Sequence, residues 1–144
     1  METSIMGRVL TEATLENMND LMAVELGVLP EEKVRRISVE DALVDTGATM
    51  LSLPTRFIQQ LGLKKKSTRR VTTSQGVTQS DLYSTVRLTI QNRDCPVDVL
   101  EVPDDVPVLI GQIPLEYLDF VVDLQTRRLI GNPAHGGEQM YELY

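Results

Sequence analysis

Ala42-Leu43-Val44-Asp45-Thr46-Gly47-Ala48-Thr49 places an ionisable residue directly after three apolar ones. An apolar run that stops this abruptly reads as a buried strand ending in a turn. Burying a carboxylate is costly unless it is hydrogen-bonded or shares a proton, so Asp45 needs partners there. Thr46 offers a hydroxyl, and Gly47 lets the backbone approach closely or take a positive φ. Taken alone, Asp-Thr-Gly is also ordinary turn chemistry, with the carboxylate accepting local amide hydrogen bonds.

On either side of this stretch the dominant pattern is short β-type segments separated by turn residues. Val34 to Val39 alternates apolar and polar residues, and Met50 to Leu53 resumes the apolar pattern after the turn. Pro54 suits a first helical turn, Phe57, Ile58 and Leu61 share one helical face, and Gly62 supplies a stop. Val71 to Val77, Leu82 to Ile90 and Val97 to Val102 read as strands. A Pro- and Asp-rich loop precedes Val108-Leu109-Ile110-Gly111, and a second short helix is expected from Pro114 through Leu118. Phe120-Val121-Val122 and Arg128-Leu129-Ile130 flank a hairpin turn. Towards the N-terminus, Arg8 to Leu15 reads as a strand, Glu16 to Asp20 as a turn and Leu21 to Leu29 as a partner strand; Gly131 to Tyr144 reads as a tail. No repeat or linker divides the chain, so a single, mostly β domain is expected.

Composition narrows the chemistry. The 144 residues include 14 Lys plus Arg and 21 Asp plus Glu, for a net charge of −7. An acidic domain is a poor general binder of nucleic acid or anionic lipid, so neither is expected as a partner. One Cys excludes an intrachain disulfide and a Cys-rich zinc site, and one His removes any two-histidine metal motif. Met1 to Leu10 lacks the basic stretch and long apolar run of a signal peptide, which makes the cytoplasm the expected compartment. Cys95 reads as a reduced thiol near a strand. Carboxylates are what remain plentiful.

Leu43-Val44, Asp45-Thr46-Gly47 and Ala48 resemble the active-site loop of the aspartic proteases, in which two apolar residues precede Asp-Thr/Ser-Gly-Ala/Ser. Leu109-Ile110-Gly111, leading into Pro114 to Leu118, resembles the second signature of that family: two apolar residues, a Gly and a short helix. The two motifs, in order and with a flap-length β segment between them, are closest to the single-domain retropepsin-like branch, including its bacterial members. The resemblance covers Val34 to Pro133. It implies a closed, β-barrel-like retropepsin fold with one or two short helices. It also implies a division into N-terminal strands over 1–33, belonging to the same domain, a protease domain over 34–133, and a C-terminal tail over 134–144.

Functionally, the resemblance implies an aspartic endopeptidase with Asp45 as the catalytic carboxylate, Thr46, Gly47 and Ala48 supporting it, and no cofactor or metal. Such enzymes hold a water between two carboxylates that share one proton and titrate as a unit. This chain has one Asp-Thr-Gly, which is half an active site; a symmetric homodimer would supply Asp45 twice. The family covers its cleft with a β-hairpin flap, for which Arg70 to Leu82 is the candidate, with Ser74, Gln75 and Gly76 at the tip. The Phe120 to Ile130 hairpin would sit where the family often builds its dimer interface. Expected partners are a second copy and a protein or peptide substrate. The alternative is a catalytically inactive, retropepsin-like dimerisation or peptide-binding module.

The other charged features read more plainly. Lys64-Lys65-Lys66 with Arg69-Arg70 is the only basic cluster, and it reads as a solvated loop after the helix. Asp94, Asp98, Asp104 and Asp105 lack calcium-loop spacing and read as turn and strand-edge residues. His135 reads as an exposed tail residue. The acidic residues other than Asp45 are expected to be surface or turn charge.

Overall fold

A computed structural model describes residues 8–143 of the chain. The reading of Met1 to Leu10 as lacking a signal peptide falls mostly on residues outside that range, as do the first seven residues of the 1–33 segment and Tyr144 of the tail.

Nine strands and three α-helices follow one another along the described residues: β1 (Leu10–Asn17), α1 (Met18–Glu25), β2 (Arg36–Val44), β3 (Leu51–Pro54), α2 (Thr55–Leu61), β4 (Lys65–Thr73), β5 (Gly76–Ile90), β6 (Arg93–Val102), β7 (Leu109–Ile110), α3 (Gln112–Leu118), β8 (Phe120–Asp123) and β9 (Arg128–Gly131). Seven strands form one sheet in the order β1-β2-β7-β3-β6-β5-β4. A further antiparallel pairing of β1 with β5, from Thr14↔Thr89 to Asn17↔Val86, closes six of them into a ring and leaves β4 outside it. Ring closure removes the free edges of those six strands. β8 and β9 form a separate two-stranded sheet. The fold is mostly β and barrel-like, as expected, with three α-helices where one or two were expected.

Alternation fills the ring. Val86, Leu88 and Ile90 of β5 are buried, as are Cys95, Val97 and Val99 of β6, against Leu15, Leu51, Leu53 and Ile110. Cys95 is buried deeply enough that desolvation pushes its thiol up to about 12, so it remains a protonated, apolar-packed side chain. The Val34–Val39 and Ala42–Val44 segments form one strand, β2, interrupted by a bulge. Thr11 faces Ala42 but Ala13 faces Val39, so β2 holds one extra residue there. That residue changes the phase of the alternation. Ile37 lies inward on odd numbering, whereas Ala42 and Val44 lie inward on even numbering. Without the bulge, Asp45 would fall on the inward face; with it, the strand ends on buried Val44 and Asp45 begins the turn.

Several local readings are corrected. Glu16–Asp20 is not a turn before a strand at Leu21–Leu29: Met18–Glu25 is a helix, started by the Asn17 side chain, which accepts from the Asp20 N–H at 3.1 Å. Buried Asn17 also donates from Nδ2 to the Leu61 carbonyl at 2.8 Å, tying α1 to α2. The helix expected between Pro54 and Gly62 is α2, with Gly62 as its left-handed cap; Pro54 ends β3 and stands just before the first turn rather than in it. The basic cluster is not a loop, since Lys65 through Arg70 lie on β4. Val71–Val77 is not one strand; it turns at Ser74-Gln75, with Thr73 facing Gly76. Nor are all acidic residues other than Asp45 at the surface. Glu16, Asp20 and Asp119 are buried. Arg36 and Arg87 both donate to Glu16, and Arg35 grips Asp20 through Nε, Nη2 and its backbone N–H.

The C-terminal stretch is folded rather than trailing. Asp119, in a left-handed conformation after α3, accepts from the His135 ring at 2.6 Å, from Asn132 Nδ2 and from the Met140 N–H. His135 is therefore half-buried against an acid, not an exposed tail residue. Arg93 stacks on Phe120 and donates to the carbonyls of Leu118, Asp119 and Gly137.

Candidate active site

Asp45 leaves the end of β2 beside β7, whose two residues are wedged between strands of opposite direction. Leu43 and Val44 pair parallel with Leu109 and Ile110, and Leu51 and Ser52 pair antiparallel with Ile110 and Leu109. The Asp45 N–H donates to the Ile110 carbonyl at 2.9 Å, and the Ala48 N–H closes the turn on the Asp45 carbonyl at 3.0 Å. The Gly47 N–H donates to Asp45 Oδ1 at 3.0 Å, which orients the carboxylate. Asp45 and Ala48 are half-buried, and Thr46, Gly47 and Thr49 are exposed. The Thr46 hydroxyl makes no hydrogen bond among the described residues.

The two sequence motifs meet through backbone. Gly111 N–H donates to the Met50 carbonyl at 3.0 Å, Gln112 N–H to the Ala48 carbonyl at 2.8 Å and Ile113 N–H to the Thr49 carbonyl at 2.9 Å. The first N–H groups of a helix have no partner within it, and here the far side of the Asp45 loop supplies acceptors. A Cβ on Gly111 would lie 2.5 Å from the Met50 carbonyl oxygen and 2.7 Å from that of Ala48, so only glycine permits this approach. The carbonyls of Ala48, Thr49 and Met50 had no signal in the sequence, because every residue carries one; Gly111 was the visible half of the contact.

β4 and β5 form a hairpin whose tip is the Ser74-Gln75 turn, followed by Gly76 at φ 112. Residues 72–79 are exposed, and among the described residues no hydrogen bond joins this tip to the Asp45 loop. β5 pairs with β4 along its first half and with β6 and β1 along its second, so the hairpin projects from the ring. Its base is braced by Glu101, which accepts from Thr55 at 2.6 Å and from the Tyr83 hydroxyl at 3.3 Å, while Ser80 donates to the Glu101 carbonyl. Burial and the nearby Glu101 charge push the Tyr83 phenol above its ordinary pKa, keeping it a donor. This brace escaped the sequence reading, since Thr55, Ser80, Tyr83 and Glu101 are scattered along 47 residues of chain.

Among the described residues, no group of three or more His, Cys, Asp or Glu side chains is arranged to hold a metal ion, and no helix is long and apolar enough to cross a membrane. The conspicuous chemistry is a single oriented carboxylate in an exposed, backbone-pinned turn.

Comparison with known proteins bears on that turn. A search of curated proteins finds no match. Among solved structures, the chain is similar to the solution structure of simian foamy virus (mac) protease, at 21% identity and a TM-score of 0.46, over 76% of this chain and 93% of that one. The family model described as aspartyl protease matches residues 20–113, more than half of the chain, and takes in both the Asp45 loop and the Leu109-Ile110-Gly111 motif. On that match, the chain belongs to the aspartyl protease family.

Proposed function

We propose that the protein is a homodimeric, retropepsin-like aspartic endopeptidase whose active site forms where the Asp45 loops of two copies meet. The observation that carries this reading is the Asp45 turn itself: one carboxylate, oriented by the Gly47 N–H and pinned through Ile110 and the start of α3, in a loop left open to solvent. A single carboxylate cannot both take and give a proton in one step. Two of them a few ångströms apart can, because mutual repulsion makes the pair retain one proton between them. The ionised member takes a proton from a water as it attacks the peptide carbonyl carbon; the protonated member donates to the carbonyl oxygen. Exposed Thr46, with its hydroxyl free of intrachain partners among the described residues, suits a contact across the two-fold axis. Gly47 and Ala48 leave room for substrate backbone. The Ser74-Gln75-Gly76 tip would close over the peptide.

The test is cleavage of a peptide mixture by wild type, by Asp45→Asn and by mixtures of wild type with Asp45→Ala. The reading expects near-complete loss in Asp45→Asn and a loss in the mixtures greater than simple dilution, since mixed dimers are inactive. Activity per chain should also fall on dilution below the dimer dissociation constant. Undiminished cleavage by Asp45→Asn would overturn it.

A further inference from the structure

β4 carries Lys65, Lys66, Arg69 and Arg70, with Lys64 just before it and no acidic residue on the strand. These five leave nine basic against 21 acidic residues in the rest of the chain, so the hairpin is a positive feature on an otherwise strongly negative molecule. Two of the five are satisfied within the fold. Lys65 lies 3.4 Å from Asp81, and Lys66 lies 2.8 Å from Asp98. Arg69 and Arg70 are exposed and have no carboxylate within ion-pair distance among the described residues; the only side-chain hydrogen bond from Arg69 is to the Ser67 hydroxyl, and, against the opposing effect of burial, its charge adds to that of Lys66 in holding Asp98 below the ordinary carboxylate range. Like charges on the outermost strand of a sheet also discourage edge-to-edge pairing between copies. That role needs no particular partner for Arg69 and Arg70, and it leaves both guanidinium groups open to a ligand.

Arg69 and Arg70 are consecutive in a regular stretch of the ladder, facing Ser80 and Gln79. Consecutive strand residues point to opposite faces. Whichever face the hairpin turns to a bound peptide therefore presents one unpaired guanidinium. Arg70 is three residues from the turn at Thr73, about 10 Å along a strand rising roughly 3.3 Å per residue. Arg69 is four residues away, about 13 Å. An extended peptide lying along the hairpin has the same rise, so whichever guanidinium faces it meets a peptide residue three or four places from the one under the tip.

We propose that the arginine on the peptide-facing side of this hairpin, Arg69 or Arg70, makes the site select extended peptides bearing Asp or Glu three or four residues from the one held under the hairpin tip. The proposal rests on the protease reading above. Guanidinium pairs with carboxylate through two parallel hydrogen bonds, which gives the choice both charge and geometry. A nucleic acid is the poorer fit, because the strand has no aromatic residue for base stacking and the rest of the surface is acidic.

Two measurements separate this proposal from the protease reading. In the first, wild type and the Arg69→Gln/Arg70→Gln double variant digest a mixed peptide library, and the cut sites are read by mass spectrometry. Wild type should cut Glu-bearing peptides about tenfold faster than their Gln counterparts, the double variant nearly equally, and one of Arg69→Glu and Arg70→Glu should turn the preference towards Lys. Both positions are exposed, so melting temperatures should stay close to wild type. Cleavage with no acidic enrichment, or enrichment that survives the double variant, overturns the proposal and leaves the protease reading intact. In the second, Asp45→Asn is titrated with fluorescein-labelled Glu-rich, Gln-rich and Lys-rich peptides and with a single-stranded oligonucleotide. If nothing is cut in the first arm, the protease reading fails and this arm decides. Tighter binding of the Glu-rich peptide, weakened by salt and by the double substitution, supports the arginine assignment. Equal binding of all peptides, or tightest binding of the oligonucleotide, overturns it.

Discussion

Gly111 has no room for a side chain, because the carbonyls of Met50 and Ala48 occupy the place a Cβ would take. Both obstacles are backbone, so relief comes only by moving the Asp45 loop or the first turn of α3. Gly111→Ala is therefore expected to cost about 1–3 kcal/mol, the usual range for forcing an extra carbon into a packed site. Urea denaturation measures that cost, and peptide cleavage should fall with it because the displaced loop carries Asp45. A variant as stable and as active as wild type would show that the loop does not depend on this contact. Asp45 and Gly111 were both singled out in the sequence through the two motifs that resemble the family's; that Gly111 has no room for a side chain is what the structure adds. Buried Glu16, Asp20 and Asp119 were not: what makes them structural is an arginine, a histidine or an amide brought from elsewhere in the chain.

At the level of elements, strands with clean alternation were legible and the N-terminal helix was not. Leu21 to Leu29 alternates only partly, and a short apolar run satisfies period two and period 3.6 about equally well. Asn17 decides between them by capping the Asp20 N–H, and its other end holds the Leu61 carbonyl. Asn17→Ala should remove both at once, with a loss of about 1–3 kcal/mol in chemical denaturation. Circular dichroism should show a small decrease in helix content, since α1 is eight residues long. The β2 bulge was equally hidden, because an extra residue in one strand is defined only by the register of its partner, β1. The run of Lys and Arg on β4 looked like a loop for a related reason. It has little apolar character of its own and becomes a strand by pairing with β5.

For the whole molecule, closure of the ring ties the N-terminal β1 to both β2 and β5, and buried carboxylate–cation contacts hold the surrounding elements in place. Arg35 holds the Asp20 carboxyl below the ordinary carboxylate range, and the hydrogen bond from His135 does the same for Asp119, in each case against an opposing effect of burial. A carboxyl whose folded pKa is lowered stabilises the protein fully above its unfolded value of about 3.9 and loses that contribution as pH falls through the folded value. Stability should accordingly be insensitive to these two groups from neutrality to about pH 5 and decline in the acid range below. Asp20→Asn should be less stable at neutral pH and show a shallower acid decline, as read by denaturant midpoints across that range. An acid decline as steep as that of wild type would remove Asp20 from the account.

The sequence by itself determined the β character of the chain, the two motifs around Asp45 and Gly111, the second helix with its Gly62 stop, and the presence of a single Asp-Thr-Gly. The β character and the helix stop are local properties, written in periodicity and turn residues; the two motifs were legible as short residue patterns that resemble those of a known family. Only the tertiary structure decided that Asp45 is pinned by carbonyls of its own loop meeting the start of α3, that a bulge sets the phase in which β2 reaches it, and that the C-terminal segment folds back onto Asp119. Each of these depends on a backbone group or a register partner supplied by a distant part of the chain. Hydrogen-bond acceptors common to every residue leave no mark in a sequence, and they become specific only when the fold brings a donor to them.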